Sequence, residues 1–169
     1  AYYDDGSRLG SHKNSECQID SIAQSWAVLS GAGDSTRATK AMESVNRKLV
    51  KPTEQMILLF TPPFDKSARD PGYIKGYLPG VRENGGQYTH GVLFYLRAVA
   101  EMGRGTRAVE LLKMLSPVTH TATAESTAIY QTEPYVVAAD VYSESPHAGR
   151  GGWTWYTGSA GWMFRVAVE

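Results

Sequence analysis

The chain has 169 residues, enough for one domain with one sizeable core. Its 17 Lys and Arg match its 17 Asp and Glu, which removes any global electrostatic case for nucleic acid or an anionic membrane surface. The single cysteine, Cys17, rules out an intrachain disulfide, fits a reducing compartment and reads as a packing residue.

Residues 1–17 are polar, with Gly6, Gly10 and Ser11, and read as a loop. Ile19, Ile22, Ala23, Trp26 and Ala27 then recur at helical spacing, so a helix is expected over about 19–31, ended by Gly31 and Gly33. Asp34 and Ser35 can cap a second helix over 35–49, with Ala38, Ala41, Met42, Val45 and Leu49 as its apolar stripe. The run Gln55 to Phe60 is a strand or a buried extended segment, stopped by Pro62-Pro63. Residues 61–91 are rich in proline, glycine and aromatics, which marks a structured functional loop.

A third helix is expected over 88–103 from Val92, Tyr95, Leu96 and Val99. A fourth is expected over 106–116, capped by Thr106, with Val109, Leu112 and Met114 inside and Pro117 after it. Thr132-Glu133-Pro134 resembles a start for a fifth helix, running through Val137 and Val141. A Gly-rich turn, His147 to Gly152, leads to a last helix from about Thr157. No apolar run approaches the roughly 20 residues that span a bilayer, and no signal peptide is visible. The chain lacks an initiator Met and ends inside an apolar stretch, so a fragment of a longer protein is expected, as a single segment over 1–169.

Three stretches carry chemistry. Gly80 to Gly91 (GVRENGGQYTHG) sets a carboxylate, a guanidinium and an imidazole beside paired glycines. Such a loop can bind a sugar through its carboxylate and amides, or a phosphate through Arg and His; the plain alternative is a capped turn with a structural ion pair. Trp153 to Trp162 (WTWYTGSAGW) opens the last helix at Thr157-Gly158, where unpaired N–H groups suit an anion, unless Thr157 merely caps its own helix. Its tryptophans and Tyr156 stack on sugar or fill a core. Asp20 and Gln24 lie four apart and share a helix face, either as a cap and a satisfied amide or as a pair reaching into a polar cleft. No metal-ligand spacing, Walker loop, dinucleotide fingerprint or Gly-x-Ser-x-Gly elbow is present.

Four motifs, QIDSIAQSWAVLSG (Gln18 to Gly31), GVRENGGQYTHG, YQTEPY (Tyr130 to Tyr135) and YTGSAGW (Tyr156 to Trp162), stand in the order found in glycoside hydrolase family 94, which the chain resembles over nearly its whole length. Asp20 and Arg82-Glu83 are most similar to the β-1,2-glucan group, including the C-terminal region of cyclic β-1,2-glucan synthases. The resemblance implies an all-α fold, the C-terminal part of an (α/α)₆ barrel with long functional loops. It implies inverting phosphorolysis of a β-glucan to α-glucose 1-phosphate and a shortened chain, with inorganic phosphate as a substrate and no cofactor or metal. His90, Thr157 and Gly158 would contact phosphate; Arg82, Glu83, Tyr88, Asp20 and Gln131 would contact sugar. The family's general acid lies in a Gly-Asp-Trp-Asn-Asp-like motif that this chain lacks, since Asp4-Asp5-Gly6 does not match it. No catalytic residue is therefore assigned in this chain, and the isolated segment is expected to be inactive.

The partners implied are glucan, phosphate and the rest of the parent chain, without nucleic acid. The exposed flanks of half a barrel favour self-association. The implied location is the cytoplasm, including the cytoplasmic part of a membrane-bound synthase. A reading from another class is a noncatalytic glucan-binding or chain-length-controlling module. A hydrolase would need a base, for which Glu83 is the candidate.

Overall fold

Carboxylates set ahead of apolar stripes start the first two helices. The computed structural model describes residues 2–169 and begins its regular elements with strand β1 (Ile19–Asp20) and helix α1 (Ser21–Leu29). Asp20 Oδ1 accepts from the N–H groups of Ile22 at 2.8 Å and Ala23 at 3.1 Å, pairing donors that a helix start leaves free. Asp34 does the same for α2 (Ser35–Lys48), accepting from Arg37 N at 3.0 Å. Ala38, Met42, Val45 and Leu49 are buried as the stripe requires.

Three short strands follow: β2 (Val50–Lys51), β3 (Met56–Ile57) and β4 (Phe60–Thr61). β2 pairs with β3, and β4 returns to β1, both antiparallel. The long loop contains one 3₁₀ turn, Tyr73–Gly76. Strand β5 (Gln87–Tyr88) runs into α3 (Thr89–Glu101), then α4 (Gly105–Leu115), α5 (Pro117–His120) and α6 (Ala124–Tyr130). Strand β6 (Asp140–Val141) pairs with β5, and α7 (Thr157–Val168) closes the chain. No helix among the described residues is long and apolar enough to cross a membrane.

Helix α3 is the centre of the core: Val92, Leu93, Leu96 and Ala98 are fully buried against the stripes of α2 and α4. Side-chain register shows that α1, α3 and α7 run parallel. Ile22 meets Gly91 and Trp26 meets Phe94, at a ring-centroid distance of 5.6 Å. His90 meets Gly158, Phe94 meets Trp162 at 4.8 Å, and Arg97 pairs with Glu169. All three helices therefore begin at one end of the molecule. Their N-terminal, partly positive ends and the loops that precede them share one face. Helices α2 and α4 follow their partners through tight turns and pack outside them.

The fold departs from the sequence expectation in four places. Helix α1 starts at Ser21 after a strand, and its buried residues are Ser21 and Ser25, while Ala23 and Trp26 of the expected stripe are exposed. Residues 132–141 form no helix. Ala139 N–H donates to Trp153 O at 2.6 Å and Ala139 O accepts from Thr89 N–H at 2.9 Å, so this β-branched stretch is bonded to neighbouring loops. Pro117 opens a helix where only a stop was expected. The stripe of α4 is shifted: Ala108, Leu111 and Leu115 are buried, Val109 is exposed, and Thr106 makes no cap because the helix starts one residue earlier.

Cys17 sits half-buried in a small apolar cluster with Leu59, Phe60 and Phe64. Burial, with a further push from the Asp20 carboxylate, raises its thiol from 9.0 to about 12. Its thiolate fraction at pH 8 is then about a thousandfold below that of an ordinary thiol. Alkylation of the folded protein at pH 8 should be slow and should speed up only on unfolding. Labelling at the free-thiol rate would refute the buried-thiol assignment.

Candidate functional site

The Gly80–Gly91 loop is shaped by its own polar side chains. Buried Asn84 accepts from Phe64 N–H at 2.8 Å and donates to Phe64 O at 2.9 Å and Tyr77 O at 2.8 Å. One amide thus ties the Pro-rich segment to the loop, with a bond to each of its polar atoms. Gln87 Oε1 accepts from Ile57 N–H at 3.0 Å. The paired glycines serve the same packing: Gly85 has φ +83°, and a Cβ on Gly86 would stand 2.8 Å from Gly80 O and 3.2 Å from Val141 O.

Asp140 joins this loop to the aromatic loop. Its carboxylate is 0 % exposed, and it accepts from Arg82 N–H at 3.1 Å through one oxygen and from Trp153 N–H at 3.2 Å through the other. Gly152 lies flat against it, where any Cβ would overlap the carboxylate. Burial raises the Asp140 carboxyl above the ordinary range, opposed by those two N–H groups and by the Arg82 charge. Nothing in the sequence reading singled out Asp140. It was hidden in an apolar run that looked helical, and its signal is a lone carboxylate among Val136, Val137, Ala138, Ala139 and Val141.

Held by its N–H, Arg82 adopts φ +50°, rare for a residue with a side chain. Its guanidinium lies 5.6 Å from the Tyr77 ring centroid and 5.7 Å from those of Trp153 and Tyr156, an aromatic cage. Arg82 Nε reaches Glu83 Oε2 at 3.4 Å. Burial works against the Arg82 charge, but a hydrogen bond with the Tyr156 hydroxyl and the Glu83 carboxylate outweigh it and raise its pKa. Half-buried Tyr88 stands in the same field: burial first, and then Glu83, push its phenol up against the pull of Arg82. Arg82, Glu83 and Tyr88 are thus brought together, with Tyr77, Trp153 and Tyr156 around them.

His90 and Gly158, 68 positions apart, also meet: a Cβ built on Gly158 would stand 3.0 Å from His90 Nδ1. Thr157 is the first residue of α7 and is not its cap. The N-cap is Tyr156, and no side chain caps the helix start. The start of α3, with Tyr88 as N-cap, is likewise uncapped by any side chain. The Tyr156 ring lies 5.7 Å from the Arg82 guanidinium, so the open start of α7 adjoins the arginine cage, and His90 brings the start of α3 against it.

Two other candidates lie elsewhere. Asp20 caps α1, and its carboxyl is raised by burial against the bonds from Ala23 and Ile22 N–H. With Gln24, Gln18 and Cys17 it lines a separate cleft of about 710 Å³. Gln131 is the left-handed C-cap of α6 at φ +55°, and its side-chain amide donates to Ala128 O at 3.0 Å.

The chain is thus a helix-rich domain whose parallel helix starts stand beside an aromatic-caged guanidinium. The sequence profile of the glycosyl hydrolase 94 superfamily catalytic domain matches residues 1–169, and the chain belongs to that family. It is 55% identical over 168 residues to the cyclic β-(1,2)-glucan synthase NdvB of Rhizobium meliloti (strain 1021), covering 99% of this chain and 6% of that protein. It is 33% identical to the solabiose phosphorylase of Paenibacillus borealis, covering 100% of this chain and 22% of the relative. It is 30% identical to an N,N'-diacetylchitobiose phosphorylase of Vibrio furnissii, covering 98% and 20%. The chain thus spans at most about a fifth of the length of these relatives.

Asp140→Asn keeps one acceptor and turns an amide N–H toward the other backbone donor. It should cost about 1–3 kcal/mol and speed amide exchange at Arg82 or Trp153. Because the folded carboxyl of Asp140 is raised, its own contribution is full below the ordinary carboxylate range and is lost as pH rises through the folded value. Wild type should therefore gain on the variant as pH falls through that window. Denaturation curves with the same pH dependence in both proteins would refute this.

Proposed function

We propose that this chain supplies the phosphate- and sugar-binding part of a β-glucan phosphorylase domain, acting on β-1,2-linked glucan. The relatives support the class: two are phosphorylases, and the 55% identical one is a cyclic β-(1,2)-glucan synthase. The observation that carries the reading is the meeting of His90 with Gly158 at two uncapped helix starts, each two residues past its N-cap tyrosine. An anion held there lies beside whatever sugar the Arg82 cluster holds.

In the reaction proposed, a phosphate oxygen attacks the anomeric carbon as the glycosidic C–O bond breaks. The leaving oxygen takes a proton from an acid outside this chain, and the anomeric configuration inverts. Phosphate is already an anionic nucleophile, so the general base of an inverting hydrolase is not required. The first-turn N–H groups at Thr157 and Gly158, the Thr157 hydroxyl and the His90 imidazole would hold phosphate. Arg82, Glu83 and Tyr88 would contact sugar hydroxyls; Asp20 and Gln131 would contact more distant sugar units. The parallel set α1, α3, α7 with α2 and α4 outside supports a place in the C-terminal part of an (α/α)₆ barrel. We place the reaction in the cytoplasm.

In the full-length protein, His90→Ala should raise the phosphate KM and slow phosphorolysis ten- to a hundredfold, the loss of a charge-assisted bond of roughly 1.5–3 kcal/mol. Gly158→Ala should do the same by placing its methyl 3.0 Å from His90 Nδ1 in the anion's path. Glucose 1-phosphate release measured against phosphate concentration decides it. Unchanged phosphate dependence in both variants would move the anion elsewhere. Glucan binding with no phosphorolysis in wild type would favour a noncatalytic glucan-binding module.

A further inference from the structure

Trp155 presents an unexplained cost. It has φ +64°, in the left-handed region where a bulky side chain is an outlier. The backbone turn itself has a clear use. In a regular extended run, positions 153 and 156 would face opposite sides. With the left-handed residue between them, Trp153 and Tyr156 both lie over the Arg82 guanidinium, their own rings 6.4 Å apart. Glycine would make that turn without steric cost. The indole must therefore have a use of its own.

Burial within this chain is not that use, because Trp155 is 71% exposed. Its ring contact among the described residues is Tyr135, edge-on at 6.4 Å, and Tyr135 is itself 76% exposed. The Tyr135 ring comes from the irregular segment after α6, so two separate loops converge to present one pair of open aromatic faces. Along the chain Trp155 stands between Trp153 and Tyr156, both of which lie over the Arg82 guanidinium.

We propose that Trp155 and Tyr135 form a distal subsite that stacks on a remote sugar unit of a β-linked glucan chain whose reacting end lies at Arg82 and His90. The proposal rests on the phosphorylase reading for which end of the chain reacts. Aromatic faces suit the C–H faces of a pyranose ring, while the exposed setting leaves its hydroxyls in water. On this proposal a longer chain engages the pair more fully than a disaccharide at the cage does. The subsite thus makes chain length a determinant of affinity.

Trp155→Gly in the full-length protein isolates the indole, because glycine keeps the left-handed turn. KM would be measured for β-1,2-linked gluco-oligosaccharides from disaccharide to hexasaccharide, in wild type, Trp155→Gly and Tyr135→Ala. Wild type should favour the longer chains. The ratio of disaccharide to hexasaccharide KM should fall about tenfold in Trp155→Gly and by a similar factor in Tyr135→Ala. A wild-type ratio in Trp155→Gly would overturn the proposal. So would a steep fall in melting temperature with that ratio kept, which would show the indole packed against another part of the protein. Calorimetric binding of the same series without phosphate separates the two readings. Length-dependent binding lost in Trp155→Gly, with no glucose 1-phosphate formed by wild type, would keep the subsite and sink the phosphorylase.

Discussion

One buried carboxylate holds the functional face together. Asp140 accepts from the backbone of two loops that are 71 positions apart, at Arg82 and at Trp153. A carboxylate removed from water is costly unless its oxygens are bonded, and here each oxygen has a backbone donor. The strained φ of Arg82 is held in place by one of these bonds, and the aromatic cage forms around the side chain that results. The short β5–β6 pairing, with Tyr88 opposite Asp140, brings the start of α3 to the same point.

A second constraint is the parallel course of α1, α3 and α7. Helix dipoles aligned side by side repel weakly, and their positive ends gather on one face. Asp20 neutralises one of those ends by capping α1. The other two are left without side-chain caps, and His90 of one touches Gly158 of the other. Capping at one start and its absence at the next two thus distinguish the closed start of α1 from the open starts of α3 and α7.

Much of this was legible residue by residue. Asp34 ahead of a periodic stripe gave α2 its start, and Val92, Tyr95, Leu96 and Val99 marked the buried face of α3. The loop motifs around Arg82 and His90 stood out because they combine charge, imidazole and glycine. Elsewhere local rules pointed the wrong way. Pro134 looked like a helix start, but the β-branched residues after it found backbone partners on other loops. The last helix does open at Thr157, and its N-cap is Tyr156, so the alternative in which Thr157 caps its own helix does not hold. The α4 stripe was misplaced because Leu111 and Leu112 are equally apolar, and only packing decides that Leu111 is fully buried while Leu112 is partly so.

The sequence by itself determined the family, the main helices and the chemistry of the loops, because periodicity, caps and motifs are written in neighbouring residues. The tertiary structure decided which loops converge. The pairing of His90 with Gly158, the caging of Arg82 by Tyr77, Trp153 and Tyr156, and the bond from Trp153 to Asp140 all join residues far apart in the chain. Such contacts depend on the parallel register of α3 and α7 and on one buried carboxylate accepting from two loops at once. Local spacing carries no record of either, since both arise only when distant backbone donors lose water together and must find the same acceptor.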